Sequence, residues 1–494
     1  MPKRQSSAQA ETIASTAVAP VREKRRAREV GAETPIENVP RRTRARRPAK
    51  PREVDLVVIG GGSGGVATAR RAASLGARTV LVERDAIGGT CVHRGCVPKK
   101  MLSYGASWAS ILSTCLSHTG GKEDWSDAIV RVNAEVARLT ASFSQRLHES
   151  GVEILHGDAE IAAPGEVRIG NETIRARKIV VATGAHPRPL EVPGGELVST
   201  SDDVFTWQSV PGSLVVIGGG YIAVEQASIL ARYGVKVDLL VREDRLLSRF
   251  DHDIAQSLAE ALTRKGVRVH FNTAVTLISQ ANGAYEVCYT QNDRKQSVRA
   301  QAVLAAIGRD PNVQGLGLEA LDIEFGDNGG IRVDRQFRTS VRGLHAIGDC
   351  TDSLQLTPVA VAQGRWLADR LFGKRGDMAD LEVVPTAVFS EPAVGAVGLT
   401  EAEAIEAAGK PERIRTEIRR FVSLENRFGG MAQPSVFKLV FNARSGRVLG
   451  AHLLDNAAPE IVQVFALALR LGVKASHLKT TLALHPTVAE ELFG

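Results

Sequence analysis

The chain lacks a long apolar run. The best candidate, residues 464–469, is interrupted by Arg470, whereas a membrane-spanning helix needs about 20 predominantly apolar residues. The N-terminal segment also lacks the apolar core of about 7–15 residues that a secretory signal contains. We therefore expect a protein that neither spans a membrane nor carries a secretory signal.

Cysteine is scarce, with five residues among 494. Secreted domains that depend on disulfides are rich in cysteine, so this composition excludes a disulfide framework of that kind. An odd number of scattered cysteines is typical of a reducing compartment, and we expect a cytoplasmic protein. The close pair Cys91 and Cys96 does not have the ligand spacing of a zinc site. No metal is expected, and the pair is a candidate for catalysis.

Positive charge is concentrated at one end of the chain. Residues 1–52 contain 14 Lys and Arg against five Glu, a net charge of +9, whereas the rest carries −2. With almost no apolar periodicity, this segment buries too little surface to fold by itself, and we predict a disordered basic extension. A solvated extension is the favoured interpretation. The alternative is a polybasic arm that contacts nucleic acid, an anionic membrane or an acidic partner.

A dinucleotide-binding motif follows the extension directly. A predicted strand at residues 54–59 leads into a glycine-rich turn, a helix and a second strand that ends at Glu83. Gly60 allows the tight turn, Gly62 lets the backbone approach a pyrophosphate, and Gly65 lets helix and strand pack closely. The pyrophosphate would lie at the helix N-terminus, and Glu83 would accept hydrogen bonds from a ribose. The alternative is a purely structural glycine loop.

The same pattern returns with the predicted strand at residues 214–217. Here Val241 occupies the acidic position and Arg242 follows it, a change that suits the 2′-phosphate of NADP. Arg245 and Arg249 lie on the same loop and could share that phosphate; alternatively, these arginines only line a solvated loop. One ribose site marked by an acid and one marked by arginine indicate FAD and NADPH. We therefore predict an α/β protein with two Rossmann-like dinucleotide-binding domains.

The cysteine pair follows the acid of the first motif, within residues 88–100. On a wound segment, the spacing of Cys91 and Cys96 can bring their Cα atoms within about 6 Å, as a disulfide requires. Arg94, Lys99 and a helix N-terminus would lower the pKa of a thiol here. We predict a redox-active disulfide beside the flavin; an inert structural pair is the alternative.

These motifs resemble the pyridine-nucleotide disulfide oxidoreductase family over about residues 54–494, and within it the branch that reduces glutathione disulfide. The most specific ones are Gly-Gly-Thr-Cys-Val-x-x-Gly-Cys-Val-Pro-Lys-Lys at 88–100 and His-Pro-Thr-x-x-Glu-Glu at 485–491. The resemblance implies that electrons pass from NADPH through FAD to the pair Cys91–Cys96 and on to glutathione disulfide. It also implies a C-terminal α+β dimerisation domain and a homodimer.

The resemblance implies a domain order that we adopt as an expectation. After the basic extension, the implied domains are an FAD-binding domain at 53–185, an NADPH-binding domain at 186–311, a central domain at 312–382 that completes the FAD site, and an interface domain at 383–494.

Catalytic roles carry over position by position. Cys91 resembles the interchange thiol, and Cys96 the thiol that contacts the flavin. His485 resembles the general acid–base, oriented by Glu490, that serves the cysteines of the other subunit. The remaining positions matched to catalysis are an ion pair near the flavin and a lid over the nicotinamide site: Lys99, Glu225 and Tyr221.

Cofactor and substrate positions carry over in the same way. The residues matched to FAD binding are Gly60, Gly62, Ser63, Gly64, Gly65, Glu83, Thr90, Lys99, Thr183, Gly184, Asp349 and Thr357. Those matched to NADPH binding are Gly218, Gly220, Tyr221, Ile222, Ala223, Glu225, Arg242, Arg249, Gly308 and Arg309. Those matched to glutathione disulfide binding are Ser63, Arg70, Phe143 and Arg365.

The sequence departs from the family pattern in two places. Phe143 aligns with a substrate-stacking tyrosine and lacks its hydroxyl, and Ser248 aligns with the second phosphate-binding arginine, with Arg249 one place later. Two alternatives therefore stay open: a related reductase that acts on another small disulfide, and a flavoprotein whose basic extension binds nucleic acid.

Overall fold

The computed structural model describes residues 52–115, 124–373, 376, 378, 381–431 and 433–493. The predicted basic extension lies outside these residues except for Arg52. That residue begins the first strand, and the extent of the basic extension stays a prediction. The strand starts there because Arg52 continues the parallel pairing, opposite Ile174.

The first domain contains a parallel sheet in the order β3-β2-β1-β6, continued by an antiparallel meander β5-β4. Its strands have uninterrupted apolar stretches because helices cover the sheet. The elements are β1 Arg52–Ile59, α1 Ser63–Ser74, β2 Thr79–Glu83, α2 Gly89–His93, α3 Cys96–Cys115, α4 Trp125–Glu149, β3 Glu153–His156, β4 Ala159–Ala163, β5 Glu166–Ile169, β6 Glu172–Val181 and β7 Ala185–Pro187.

The second domain repeats this plan with a parallel sheet in the order β11-β10-β9-β15-β8. An antiparallel meander β12-β13-β14 lies beside it, and β16 pairs with β7 of the first domain. The elements are β8 Ser199–Thr200, β9 Ser213–Ile217, α5 Tyr221–Arg232, β10 Lys236–Leu240, α6 His252–Arg264, β11 Arg268–His270, β12 Thr273–Ala281, β13 Ala284–Gln291, β14 Arg294–Ala300, β15 Ala302–Ala305 and β16 Arg309–Pro311.

The chain then returns to the first domain. Strand β17, Leu344–Ala346, joins the first sheet by parallel pairing with β6, and helix α7, Thr357–Phe372, packs against α1. The return brings the N-terminus of α7 beside the cysteine-bearing segment. The fold-class prediction of two Rossmann-like sheets is thus confirmed, while the domain boundaries inside the chain stay predictions.

The C-terminal domain is an antiparallel sheet in the order β18-β19-β22-β21-β20. Its elements are β18 Thr386–Val388, β19 Val394–Gly398, α8 Glu401–Ala408, β20 Ile414–Phe421, α9 Leu424–Phe428, β21 Ser435–Asn442, β22 Val448–Leu454, α10 Ala458–Arg470 and α11 Ala475–Thr480. Helix α10 buries Val462 and Phe465 against the sheet and exposes Val464 and Leu467 on its other face. Among the described helices, none combines the length and apolarity that crossing a membrane requires.

The first glycine turn brings the start of α1 close to the backbone at the end of β1. A Cβ atom on Gly65 would lie 1.9 Å from the carbonyl oxygen of Gly60, so α1 approaches β1 more closely than any side chain permits. This contact aims the N-terminus of α1 across the carboxyl end of β1.

We predict that Gly65→Ala pushes α1 away from β1, lowers the free energy of unfolding by about 1–3 kcal/mol and weakens flavin retention. Thermal denaturation and flavin absorbance after gel filtration measure both effects. Gly376→Ala is the control, since a Cβ there meets no atom within 4 Å. Wild-type stability and flavin content in Gly65→Ala would contradict the prediction.

Candidate active site

Two helices present uncapped N-termini to the glycine turns. Helix α1 starts after Gly62 and α5 after Gly220, and neither first turn has an acidic residue or a side-chain cap. Space is open at both glycines: a Cβ on Gly62 would meet only a Cα at 3.9 Å, and one on Gly220 would meet nothing within 4 Å. Free N–H groups in open space fit two pyrophosphates.

Glu83 is held at the mouth of the first turn. Its carboxylate accepts the backbone N–H of Gly61 at 2.6 Å and that of Asp85 at 2.8 Å. A carboxylate has about four acceptor positions, so two remain for ribose hydroxyls. The arrangement fits an FAD ribose, as the motif predicts.

The second turn faces arginine instead of acid. The buried Val241 follows the last residue of β10, and the exposed Arg242 and Arg249 follow on the loop. Arg242 bonds Glu243 at 2.8 Å, and Arg245 donates to the carbonyl of Ser248 at 2.7 Å. Two exposed guanidinium groups at the ribose position fit a 2′-phosphate.

The two cysteines lie at the junction of two helices. Cys91 is in α2 and Cys96 is the first residue of α3. Both are free thiols in this structure and share a hydrogen bond, so the disulfide itself stays a prediction. The hydroxyl of Thr357, at the start of α7, lies 3.7 Å from the sulfur of Cys96, and Ser63 bonds Cys91.

The two thiols differ strongly in acidity. The hydrogen bond from Cys91, together with the charge of Lys99, lowers the pKa of Cys96 to about 6. The same bond and burial raise the pKa of Cys91 above its ordinary value. The reduced pair therefore holds one proton, on Cys91, and carries its negative charge on Cys96 at neutral pH.

A buried ion pair joins the cysteine helix to the nucleotide helix. The ammonium of Lys99 contacts both carboxylate oxygens of Glu225 at 2.6 Å, and Glu225 also accepts the backbone N–H of Phe389 at 2.8 Å. Burial opposes the charge on Lys99, but Glu225 outweighs it and keeps the pKa of Lys99 above its ordinary value. The rings of Tyr221 and Phe389 flank the ammonium at 5.6 and 5.2 Å.

Arg309 lies on the flavin side of the junction between the first two domains. Its guanidinium donates to the carbonyl of Ala185 at 2.5 Å and contacts Thr90 at 3.4 Å and Asp202 at 3.6 Å. Burial raises the pKa of Asp349, and Arg309 partly offsets this effect. These bonds hold Arg309 close to FAD-assigned positions, and its contact with NADPH stays a prediction.

The remaining cofactor positions lie at carboxyl ends of strands, where ligands bind in such sheets. Thr183 and Gly184 follow β6 and are tied to Asn312, with the Thr183 hydroxyl donating to the Asn312 carbonyl at 2.6 Å. Gly218 follows β9 and Gly308 follows β15. Gly64, Ile222 and Ala223 lie in the first turns of α1 and α5.

The predicted substrate residues lie on three helices that pack together. Ser63 and Arg70 belong to α1, Phe143 to α4 and Arg365 to α7. Arg365 is exposed, Arg70 is half-buried with a long contact of 3.4 Å to a serine hydroxyl, and Phe143 packs on the core. The arrangement offers two cations and one aromatic ring on the cysteine side of the flavin domain.

His485 and Glu490 meet as predicted from their motif. The Nδ1 atom of His485 lies 2.8 Å from the Glu490 carboxylate, and the histidine side chain is 80% exposed. Glu490 thus orients the ring and leaves Nε2 open to another molecule.

Two features of the site differ from the sequence reasoning. Arg94 and Lys99 were both expected to lower a thiol pKa, but the guanidinium of Arg94 bonds Asp85 and faces Asp202. Of these two cations, Lys99 is the one that lowers the pKa of Cys96. Phe389, which supports both members of the Lys99–Glu225 pair, was missed because it comes from the C-terminal domain and has no motif of its own.

Comparisons with known proteins agree with this geometry. Residues 54–364 match the family described as pyridine nucleotide-disulphide oxidoreductase, and residues 384–493 match its dimerisation domain. The chain belongs to the pyridine nucleotide-disulphide oxidoreductase family.

Three relatives in this oxidoreductase family are named glutathione reductase. The chain is 38% identical to that of Burkholderia cepacia, over 89% of this chain and 97% of the relative. It is 36% identical to that of a Nostoc species, over 89% of this chain and 98% of the relative. The protein of Schizosaccharomyces pombe is 36% identical, over 89% of this chain and 97% of the relative.

We predict that the thiolate of Cys96 is present above pH 6 and is lost as the pH falls through about 6. In the two-electron-reduced enzyme, a thiolate against oxidised flavin gives a long-wavelength absorption band, and this band should titrate with that midpoint. Lys99→Met should move the midpoint upward by about one unit. Arg94→Met is the control and should leave it in place. A band that is unchanged down to pH 4 would contradict the assignment.

Proposed function

We propose that this protein is an NADPH-dependent, FAD-containing disulfide reductase that reduces glutathione disulfide to two molecules of glutathione. The observation that carries the proposal is the cysteine pair, in which Cys91 keeps its proton and Cys96 is a thiolate at neutral pH. The pair lies where α1, α3 and α7 begin. The names of three relatives that cover nearly the whole chain support the substrate.

When bound, NADPH would supply two electrons as a hydride, and FAD would pass them to the cysteine pair. Lys99 and Glu225 hold the cysteine helix against α5, and the ring centroid of Tyr221, the first residue of α5, lies 5.6 Å from the ammonium of Lys99. We propose that this ring covers the nicotinamide site. Thr357 and Ser63 hold the two sulfurs by hydrogen bonds. The chain thus aligns two nucleotide sites with one pair of thiols.

The thiols reduce the substrate in two exchanges. Cys91, which carries the proton of the pair, must lose it before its sulfur attacks one sulfur of glutathione disulfide. That attack forms a mixed disulfide and releases the first glutathione thiolate, which takes up a proton. The Cys96 thiolate then attacks Cys91, which re-forms the Cys91–Cys96 disulfide and releases the second glutathione as a thiolate that takes up a proton from solvent.

A base must therefore accept the proton of Cys91 and later return it. His485 suits this role because Glu490 fixes one ring nitrogen and the other is open. The family dimerisation domain at 384–493 contains this histidine. We infer a homodimer in which His485 of each subunit serves the cysteines of the other.

The carboxylates of glutathione disulfide fit the cations on the flavin domain. Arg70 and Arg365 are the proposed partners, Ser63 is a further polar contact, and Phe143 provides a ring for stacking. The scarcity of cysteine supports action in a reducing compartment, the cytoplasm.

We predict that the purified protein oxidises NADPH with glutathione disulfide, and more slowly with NADH, because Arg242 and Arg249 select the 2′-phosphate. Cys91→Ser should abolish this activity and retain the yellow flavin. Absorbance at the nicotinamide band measures the rates, with cystine and lipoamide as alternative disulfides. If cystine or lipoamide is turned over faster, that disulfide and not glutathione disulfide is the substrate. Full activity of Cys91→Ser would refute the assignment of Cys91 as the attacking thiol.

A mixed dimer tests the shared site. We predict that Cys91→Ser and His485→Gln are each inactive as homodimers, whereas a heterodimer of the two has one intact site and about half the wild-type activity. The heterodimer is purified after co-expression with two different affinity tags. Its complete inactivity would show that His485 acts on the cysteines of its own chain.

A further inference from the structure

A buried cation lies where the C-terminal sheet meets the second domain. Lys438, on β21, is 1% exposed. Its ammonium contacts Asp251 at 3.0 Å, Asp253 at 2.6 Å and Glu401 at 2.7 Å. Burial opposes this charge, but the three carboxylates raise the pKa of Lys438 above its ordinary value. The cation is therefore fully ionised and bonded on three sides.

Two of these carboxylates begin helix α6. Asp251 is its N-cap, accepts the backbone N–H of Asp253 at 3.1 Å, and is itself buried. It also accepts the N–H of Glu401 at 3.3 Å. Lys438 therefore holds the start of α6 from a different domain. Removing the cation would leave the buried carboxylate of Asp251 with backbone N–H donors but without a compensating positive charge, which is strongly unfavourable.

The segment before Asp251 is the loop that carries the arginines of the second nucleotide site, residues 242–250, here named the arginine loop. Its middle is attached to the glycine turn, because Leu247 donates its backbone N–H to the Gly219 carbonyl at 2.8 Å. Leu247 is buried and has φ +48°, an uncommon conformation for a non-glycine residue. Arg249 lies between this attachment and Asp251. Its position thus depends on how firmly Asp251 is held.

We propose that Lys438 is a positioning residue for nucleotide selectivity: through Asp251, it holds the arginine loop where Arg249 meets the 2′-phosphate of NADPH. The inference rests on the proposed use of NADPH. Selectivity for NADPH over NADH then depends on a cation that lies outside the nucleotide-binding domain and does not touch the nucleotide.

The opposite end of the same helix provides a matched control. Lys265 follows α6 at its C-terminus and contacts Glu391 at 3.0 Å, so it also joins the second domain to the C-terminal region. It has no contact with the arginine loop among its hydrogen bonds in the described structure. Lys265→Met therefore removes an interdomain cation without releasing Asp251.

The experiment measures KM and kcat for NADPH and for NADH in FAD-loaded dimers of the wild type and of four variants: Lys438→Met, Lys438→Arg, Asp251→Asn and Lys265→Met. We expect the KM for NADPH to rise about tenfold in Lys438→Met and Asp251→Asn, equivalent to about 1.4 kcal/mol. The KM for NADH and both kcat values should stay within about twofold. Lys438→Arg keeps the positive charge and should therefore retain most of the selectivity for NADPH over NADH, and Lys265→Met should behave as the wild type.

Two of these variants distinguish a displacement of Arg249 from a long-range electrostatic effect on the nucleotide. Lys438→Met removes a positive charge and Asp251→Asn removes a negative one, so a long-range electrostatic effect on an anionic nucleotide would have opposite signs in the two. A loss of position gives the same sign in both. Asn also caps helices well, so Asp251→Asn tests the ion pair in a folded protein even where Lys438→Met fails to fold.

Hydrogen–deuterium exchange supplies a second readout. The amides of 242–250 should exchange faster in Lys438→Met and Asp251→Asn than in Lys265→Met. Three results would overturn the inference. They are an equal rise in KM for NADPH and for NADH, changes in the KM for NADPH that have opposite signs in Lys438→Met and Asp251→Asn, and unchanged amide exchange in the arginine loop of these variants. If the wild-type enzyme shows no preference for NADPH over NADH, the proposed cofactor is overturned instead. This result comes from the wild type alone, before any variant is compared.

Discussion

The ion pair between Lys99 and Glu225 is the constraint on which the site depends. One member belongs to the helix that begins with Cys96, and the other to the helix that begins at the second glycine turn. Because the pair is buried, the attraction between its two charges is strong, and removing one residue would leave the charge of the other buried without compensation. The pair and its support from Phe389, together with the hydrogen bonds of Arg232 and Tyr233 to carbonyls of the cysteine helix, fix the distance between the cysteines and the second glycine turn.

The asymmetry of the two thiols follows from their shared hydrogen bond and from the same cation. The bond from Cys91 and the nearby charge of Lys99 stabilise the Cys96 thiolate, whereas Cys91 keeps the shared proton. One hydrogen bond and one positive charge thus give different acidities to two identical side chains. The proposed role of His485 follows from this asymmetry, because the proton that remains on Cys91 must be removed before its sulfur attacks.

Sequence motifs predicted correctly those features of the site that lie within one short segment of the chain. The turns at Gly60–Gly65 and Gly218–Gly220, the acid at 83 and the contact of His485 with Glu490 lie within short segments, and the structure places them as their spacing indicates. Contacts between distant segments gave no such signal. The approach of Arg94 to Asp202, the role of Phe389 and the attachment of Asp251 to Lys438 all depend on packing between domains, which no spacing in one segment encodes.

The pairing of β17 with β6 has a consequence for synthesis on the ribosome. The first sheet receives its strand at residues 344–346 only after the entire second sheet has been translated, although β6 ends at residue 181. At ordinary rates of translation this interval lasts roughly 10–30 s. During that time β5 already pairs with the first residues of β6, but residues 179–181 lack the strand that will join them, and the nascent chain must shield this short edge from other strands.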